Sequence, residues 1–449
     1  MARRSASVVL LALRAEVGDA AEHVQFGHVV AVRGRAAAER GRARNSSPST
    51  GSSPDGGEQP DAAGGGGQPE ADGGGGQPDA GGGGGGGQPD AGGGGDAQDE
   101  CAGLGPAAVG QPTASAAINV GTNEACSVGS TDGFGTVALL VDDHRGGPPD
   151  KVTVHLFDPS GAELGKYIGI DTVLVEELEG FELRNRDVQQ GELAAIDRKG
   201  SVVGTTGRVN EQFRFISDNP LGGAVALSVP AGSSSPNVIV AYDDRVNLRW
   251  RTQLSSTEEV VAVGVDRQGN SLVLLDAAAR YGSGKLGGVW IDQSGNAGEE
   301  FEAAQGVSLP GTALLTPRVK SGLFLRAGSS SAWIRQFGSL GGGSPPPDWL
   351  AARPATRLHM ARGGRAYAVI SPASLEGGSC HATIEVVAPS GKSCGTAVFP
   401  AEVRGQFCAG ALTVGYDGTV VDYVGDTLAR DGTANRSCNF LWWTSFFGG

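Results

Sequence analysis

One short pattern recurs through the C-terminal part of the chain: an apolar run, then Asp-x-x-Gly, then another apolar run. It stands at Asp158-Pro-Ser-Gly161, Asp197-Arg-Lys-Gly200, Asp266-Arg-Gln-Gly269 and Asp292-Gln-Ser-Gly295, with variants at Ala388-Pro-Ser-Gly391 and Tyr416-Asp-Gly418. The Asp side chain caps the turn and Gly takes the left-handed backbone conformation, so each copy is a tight hairpin connection. Val246, Leu248, Trp250, Thr252 and Leu254 alternate with Arg249, Arg251 and Gln253, the period of a strand. No stretch has the spacing of a convincing amphipathic helix.

The turns divide the chain into units. From Glu259 to Ala303 the sequence runs strand, tight turn, strand, long loop, strand, tight turn, strand. A four-stranded meander of about 45 residues is the size of one propeller blade. Partial copies are legible around 136–170, 181–206, 221–254, 321–338, 364–400 and 408–448. The expectation is an all-β chain, a β-propeller of about seven four-stranded blades. Tandem β-sandwiches would give the same strand patterning and are the alternative.

From about residue 113 to 449 the chain resembles bacterial secreted, lipoprotein-like β-propeller repeat proteins carried on Gly-rich tethers. The resemblance is generic. The Trp-Asp dipeptide of the WD40 type is absent, and a sialidase-type Asp box is only grazed by Ser130 to Thr136, where Phe134 replaces the required Gly. The resemblance therefore implies a fold and no site residues.

Ahead of the repeats, residues 46–100 hold 22 Gly in 55 positions and neither Lys nor Arg. Gln-Pro-(Asp/Glu)-Ala recurs there at 59–62, 68–71, 77–80 and 88–91. Such a segment cannot bury a core and reads as a disordered linker with a root-mean-square span of about 40 Å. Residues 1–45 open with a basic signal-like stretch, but the apolar run Val8 to Leu13 is shorter than the about 7–15 residues an export signal needs. They read as a degenerate export signal or a non-native N-terminal segment, and residues 101–449 as the folded domain.

The net charge of -14 divides into +4 for residues 1–45, -10 for the linker and -8 for the rest. A mildly acidic body with mixed charges has no footprint for nucleic acid. No run approaches the ~20 apolar residues of a membrane-spanning helix, so membrane tethering is expected only through the N-terminus.

All six Cys follow the linker, and none forms a Cys-x-x-Cys pair. That favours disulfides and an oxidising compartment over a zinc site, with buried thiols in a cytosolic protein as the alternative. Cys101 and Cys126 are the natural N-terminal pair. The pairing of Cys380, Cys394, Cys408 and Cys438 stays open, except that Cys380 with Cys394 is excluded. A hairpin turning at Pro389 to Lys392 sets Cys380 near residue 401, leaving the two sulfurs roughly 20 Å out of register.

Chemistry is sparse. His155 reads as a strand-face residue, and His359 and His381 have no assignable partner. No nucleophile of a hydrolase triad is assigned. Trp442, Trp443, Phe446 and Phe447 read as the packed closing strand of the last blade. Within a blade, the connections between strands one and two and between three and four are short and stereotyped, whereas those on the opposite face are long and varied. Binding residues concentrate on variable loops held by a rigid scaffold. The long-loop face is therefore the expected ligand face, with Asp142, Asp143, His144, Arg280, Tyr281 and Lys285 as its most chemically capable side chains. No catalytic residue, metal ligand or cofactor is assigned. The expected function is an extracytoplasmic or cell-surface module that binds a protein, peptide or glycan on a flexible tether. A propeller lyase or glycoside hydrolase is the alternative, recognisable by carboxylates and a His converging on one channel mouth.

Overall fold

The computed structural model describes residues 100–447 apart from 122–123, 144–150, 171–172, 178–179, 187–190, 231–236, 306–312, 328–331, 355, 362, 377, 405–406, 410, 428–435 and 445. The expected signal-like segment and, save for Glu100, the expected linker lie outside these residues.

Among the described residues, seven antiparallel sheets account for the strands, six of four strands and one of five. In chain order the blades span residues 124–170, 173–205, 211–253, 260–305, 314–344, 357–409 and 411–443, and are numbered 1 to 7. The first strands of the blades touch one another in a closed cycle, each against the next and blade 7 back against blade 1. That cycle makes the fold a β-propeller, with the first strands around the central channel.

Why the middle strands read as unbroken apolar runs follows from this stacking. In Ser271–Asp276 of blade 4, Leu272 and Leu274 pack toward blade 5, while Val273 and Leu275 pack toward blade 3. Successive side chains point to opposite faces, so a sheet covered on both sides buries every residue. Seven hydrophobic clusters result, each drawing on two neighbouring blades. The alternation noted around Trp250 belongs instead to an outermost strand, Leu248–Gln253, where Leu248 is exposed.

The last blade is completed by the N-terminal end of the domain. Ala114–Val120 pairs antiparallel with Arg436–Trp443, placing Ala114 opposite Trp442 and Val120 opposite Arg436. The sequence expectation that the Trp442-Trp443 segment closes this blade is therefore corrected, because that segment is the third strand and the closing strand comes from residue 114 onward. Trp442, Trp443, Phe446 and Phe447 are all buried, each contributing about 1.5–3 kcal/mol to the closure.

The Asp-x-x-Gly turns form as their chemistry demands. At Asp266 the side chain Oδ1 accepts from the amides of Gln268 and Asn270 at 2.9 and 3.0 Å, and Gly269 adopts φ +80°. Asp132-Gly-Phe-Gly135 is another copy, with Asp132 Oδ1 accepting from Phe134 and Thr136 at 2.9 and 2.8 Å.

The six cysteines form Cys101–Cys394, Cys126–Cys438 and Cys380–Cys408, with Cα separations of 5.1, 6.3 and 5.5 Å. The expected Cys101–Cys126 pair is overturned. Residues 101–113 lie on the short-turn side of the ring, whereas Cys126 sits near the start of its strand at the long-loop end. The intervening strand Ala114–Val120 separates them by the height of a blade, about 23 Å at strand rise. Cys380 and Cys394 remain unpaired with each other, and Cys380 stands opposite Ala401 in the ladder as the turn requires.

Candidate functional site

The two ends of the channel are built differently. On the long-loop face, Asp142 and Asp143 end the strand Val137–Asp143 of blade 1, opposite Val152 and Lys151. His144 lies outside the described residues. Arg280 and Tyr281 form the end of a one-turn helix, Ala278–Tyr281, in blade 4, and Lys285 begins the strand after it. Arg280 and Tyr281 are thus brought together, while the aspartates belong to a blade three positions away around the ring.

The basic groups of blade 4 are already engaged. Arg280 Nη1 lies 2.7 Å from Glu300 Oε2, and Lys285 Nζ donates to Glu302 at 3.1 Å. A hydrogen bond with Tyr281, then the Glu300 charge, holds Arg280 more strongly protonated than usual. Lys285 first, with Gln305, keeps the Glu302 carboxyl below its ordinary range. Glu258 is pushed up by burial and by the Glu300 charge. Arg280 thus serves two neighbouring carboxylates, Glu300 of its own blade and Glu258 just before it.

At the opposite mouth, where the first turn of each blade meets the channel, the structure forms a cavity of about 240 Å³. Thr131 and Asp132 reach it from blade 1, Asp218 from blade 3, Arg267 from blade 4, Thr316 from blade 5, His359 from blade 6 and Tyr416 from blade 7. Apolar surface fills the rest of the wall, supplied by Pro220, Leu221, Pro317, Leu358, Met360 and Val414.

Hydrogen bonds between blades fix this rim. Arg267, in the Asp266 turn, donates through Nη1 to the carbonyls of Val319 and Gly364 and through Nη2 to the Tyr416 hydroxyl, joining the turns of four blades. A Cβ at residue 364 would lie 2.7 Å from the Arg267 guanidinium carbon, so glycine there makes room for the arginine. Asp266 Oδ2 accepts from Ser339 Oγ at 2.6 Å and from the Gly322 amide at 3.3 Å, tying blade 4 to blade 5. The Asp417 amide donates to the Gly133 carbonyl at 2.9 Å, and the Gly363 amide to that of Tyr416 at 3.0 Å. Thr413 donates to Thr131 at 2.7 Å.

Asp218 is the exception on this rim. It ends the strand Glu211–Asp218, which carries a bulge between Arg214 and Ser217 with Phe215 at φ +48°. A bulge re-aims the residues beyond it, and a bulky residue held at positive φ is strain of the kind that concentrates at functional sites. Burial raises the Asp218 carboxyl to about 6, opposed only by a hydrogen bond from its own backbone. No other side chain among the described residues pairs with it.

Sequence reasoning missed Asp218, Arg267, Thr316 and Tyr416 as site residues, and left His359 unassigned. A signal existed in the turns themselves: Asn219-Pro-Leu-Gly222 is a further copy of the motif, directly after Asp218. What the motif does not say is which copies are first turns, facing the axis, and which are third turns, facing outward. Among the described residues no group of three or more His, Cys, Asp and Glu side chains is placed to hold a metal ion.

No family model matches the chain, and no curated protein matches it. Solved structures similar to it include a protein of unknown function from Bacteroides caccae, at 11% identity over 55% of this chain and 94% of the other, with a TM-score of 0.34. A streptogramin B lyase is similar at 11% identity over 73% and 97% of the two chains, with a TM-score of 0.37. A puromycin-hydrolysing peptidase of Mycobacterium tuberculosis is similar at 13% identity over 72% and 54%, with a TM-score of 0.39. At these levels no chemistry is transferred from them.

Proposed function

We propose that this chain is an extracytoplasmic ligand-binding propeller, carried on the Gly-rich segment 46–100, that takes a small ligand at the short-turn mouth of its channel. The cavity carries this reading: a rigid, hydrogen-bonded rim surrounds mostly apolar walls with a few polar groups aimed inward, the composition of a small-molecule site. Its volume is below the ~300 Å³ at which drug-sized pockets begin, so the ligand is small. Three disulfides, with no free cysteine among the described residues, support a location where thiols are oxidised.

Two experiments test it. Ligand-observed NMR with a fragment library should give hits that are lost in Leu221→Trp, which fills the mouth from an exposed turn position; hits unaffected by that variant would remove the cavity as the site. Thiol titration of the denatured, unreduced protein from its native host should find no reactive Cys, and four or more would place the protein in the cytoplasm.

A second reading, a propeller enzyme at the channel mouth, is favoured by Asp218 and His359 facing one cavity. A carboxyl near 6 is suited to proton transfer at neutral pH. Turnover of a bound fragment, lost in Asp218→Asn while binding persists, would select it.

A further inference from the structure

Among the described residues, Asp218 is the carboxylate on the short-turn rim whose oxygens are not spent on the fold. Asp132 and Asp266 cap their turns, and Arg267 is turned onto Val319, Gly364 and Tyr416. Asp218 lines the cavity, and among the described residues no side chain, cationic or neutral, bonds to it. Asp218 is half-buried, and even partial desolvation of a carboxylate without a partner is costly; the backbone is also strained just before it at Phe215. A fold keeps such an arrangement at a cost to its own stability, and the missing partner is then a group brought from outside.

The chemistry of that partner follows from what faces the carboxylate. Its complement is a cation that also donates hydrogen bonds, which makes the strongest class of contact in a desolvated site. Around it stand Pro220, Leu221, Pro317, Leu358 and Met360, a wall suited to a compact apolar body. The space inside the mouth equals about eight water volumes, which suits a compact group.

We infer that the short-turn mouth binds a small organic cation, an amine on a compact apolar body, with its ammonium group on the Asp218 carboxylate. This assignment rests on the cavity being the binding site, as proposed above, and narrows the ligand to one class.

The probes are benzylamine, benzyl alcohol and benzoate, which share a body and differ in charge. Their binding to the full-length protein is read by ligand-observed NMR at pH 8. Benzylamine should bind at least tenfold more tightly than benzyl alcohol, and benzoate more weakly still. Asp218→Asn should abolish the preference, so that amine and alcohol bind alike, with its melting curve as the control for folding. Asp218→Glu should retain part of the preference.

Lowering the pH from 8 to 5 should weaken benzylamine about tenfold in the wild type, because a carboxyl of about 6 is then mostly neutral. Asp132, Arg267, His359 and Tyr416 face the same cavity, and protonation of His359 acts in the same direction, so the profile is compared with that of Asp218→Asn, where only the His359 contribution remains. Equal binding of alcohol and amine, or amine binding indifferent to Asp218→Asn, would overturn the cation assignment and leave the cavity as a site for a neutral ligand. Failure of all three probes, with wild type and Leu221→Trp indistinguishable, would overturn both.

Discussion

The two faces of this propeller solve the same problem by different means. On the short-turn face many of the described connections are tight turns that cap themselves through Asp or Asn, and those around the channel bond to the turns of neighbouring blades, so the rim is fixed without cross-links across the ring. On the long-loop face the connections vary in length, from the two residues between Ala366–Glu376 and Ser379–Val387 to the eight between Ser271–Asp276 and Lys285–Ile291, and carry no common motif. There the chain is held covalently: Cys126–Cys438 joins blade 1 to blade 7, and Cys380–Cys408 ties the fifth strand of blade 6 to its third. The third bridge, Cys101–Cys394, lies on the short-turn side and pins the segment that leads into the closing strand. Short repeated turns thus make a surface precise enough to hold an unpaired carboxylate, while the variable surface is secured by disulfides.

That contrast breaks first at the ring closure. Replacing Cys126 and Cys438 by Ala removes a cross-link spanning 312 residues and should cost about 2–5 kcal/mol, seen as a lower denaturant midpoint in oxidised protein. A loss no larger than that from a surface substitution would mean that the pairing of Ala114–Val120 with Arg436–Trp443 suffices by itself.

Next in size is the difference between an inner turn and an outer one. Asp266→Ala removes a buried acceptor bonded to Gln268, Asn270, Ser339 and Gly322, and should cost about 2–3 kcal/mol. Asp292→Ala, in the exposed outer turn of the same blade, serves as its comparison and should shift the melting temperature much less. Equal shifts would show that the bonds between blades add nothing to the turn.

Asp218→Asn should have the opposite sign. A carboxyl raised by burial to about 6, against 3.8 unfolded, binds its proton more tightly in the native state. Stability is therefore highest at pH values below the unfolded pKa and falls as pH rises from about 4 to 6, after which the contribution is level. The neutral amide escapes that loss, so the variant should be about 1–2 kcal/mol more stable than the wild type at pH 7.5 and flatter between pH 4 and 6. A destabilised Asp218→Asn would make the residue part of the scaffold.

The smallest effect is expected on the long-loop face. Lys285→Ala breaks an ion pair with Glu302 that solvent reaches from both sides, and such pairs add little to stability. It should not move the melting temperature measurably nor alter binding at the other mouth. If it weakens binding of a macromolecular partner, the long-loop face regains the role its sequence suggested.

Much of the architecture was legible beforehand because it is written locally. The Glu259 to Ala303 unit matches blade 4 almost residue for residue, since each of its strands and turns is specified by neighbours within the same 45 or so positions. The frame of the other units was harder to read. Several apparent copies began at the second strand, because first strands such as Glu211–Asp218 mix Glu, Gln, Arg and Asp with apolar residues and face a channel rather than a core. The closing strand Ala114–Val120 was missed for a related reason: its exposed and half-buried alternation carries no mark of a partner more than 300 residues away.

Sequence alone determined the strand class, the turn chemistry and the approximate number of repeats, because propensity, period-two burial and Asp-x-x-Gly capping act over a few residues. Only the closed ring decided which turns face the axis, which cysteines meet, and that Arg267 reaches Tyr416, 149 residues along the chain. It also decided that Asp218 stands without a partner. Those outcomes depend on where seven separately specified blades place their edges once they stack. Desolvation, the force that sets Asp218 apart, exists only after the stack has formed.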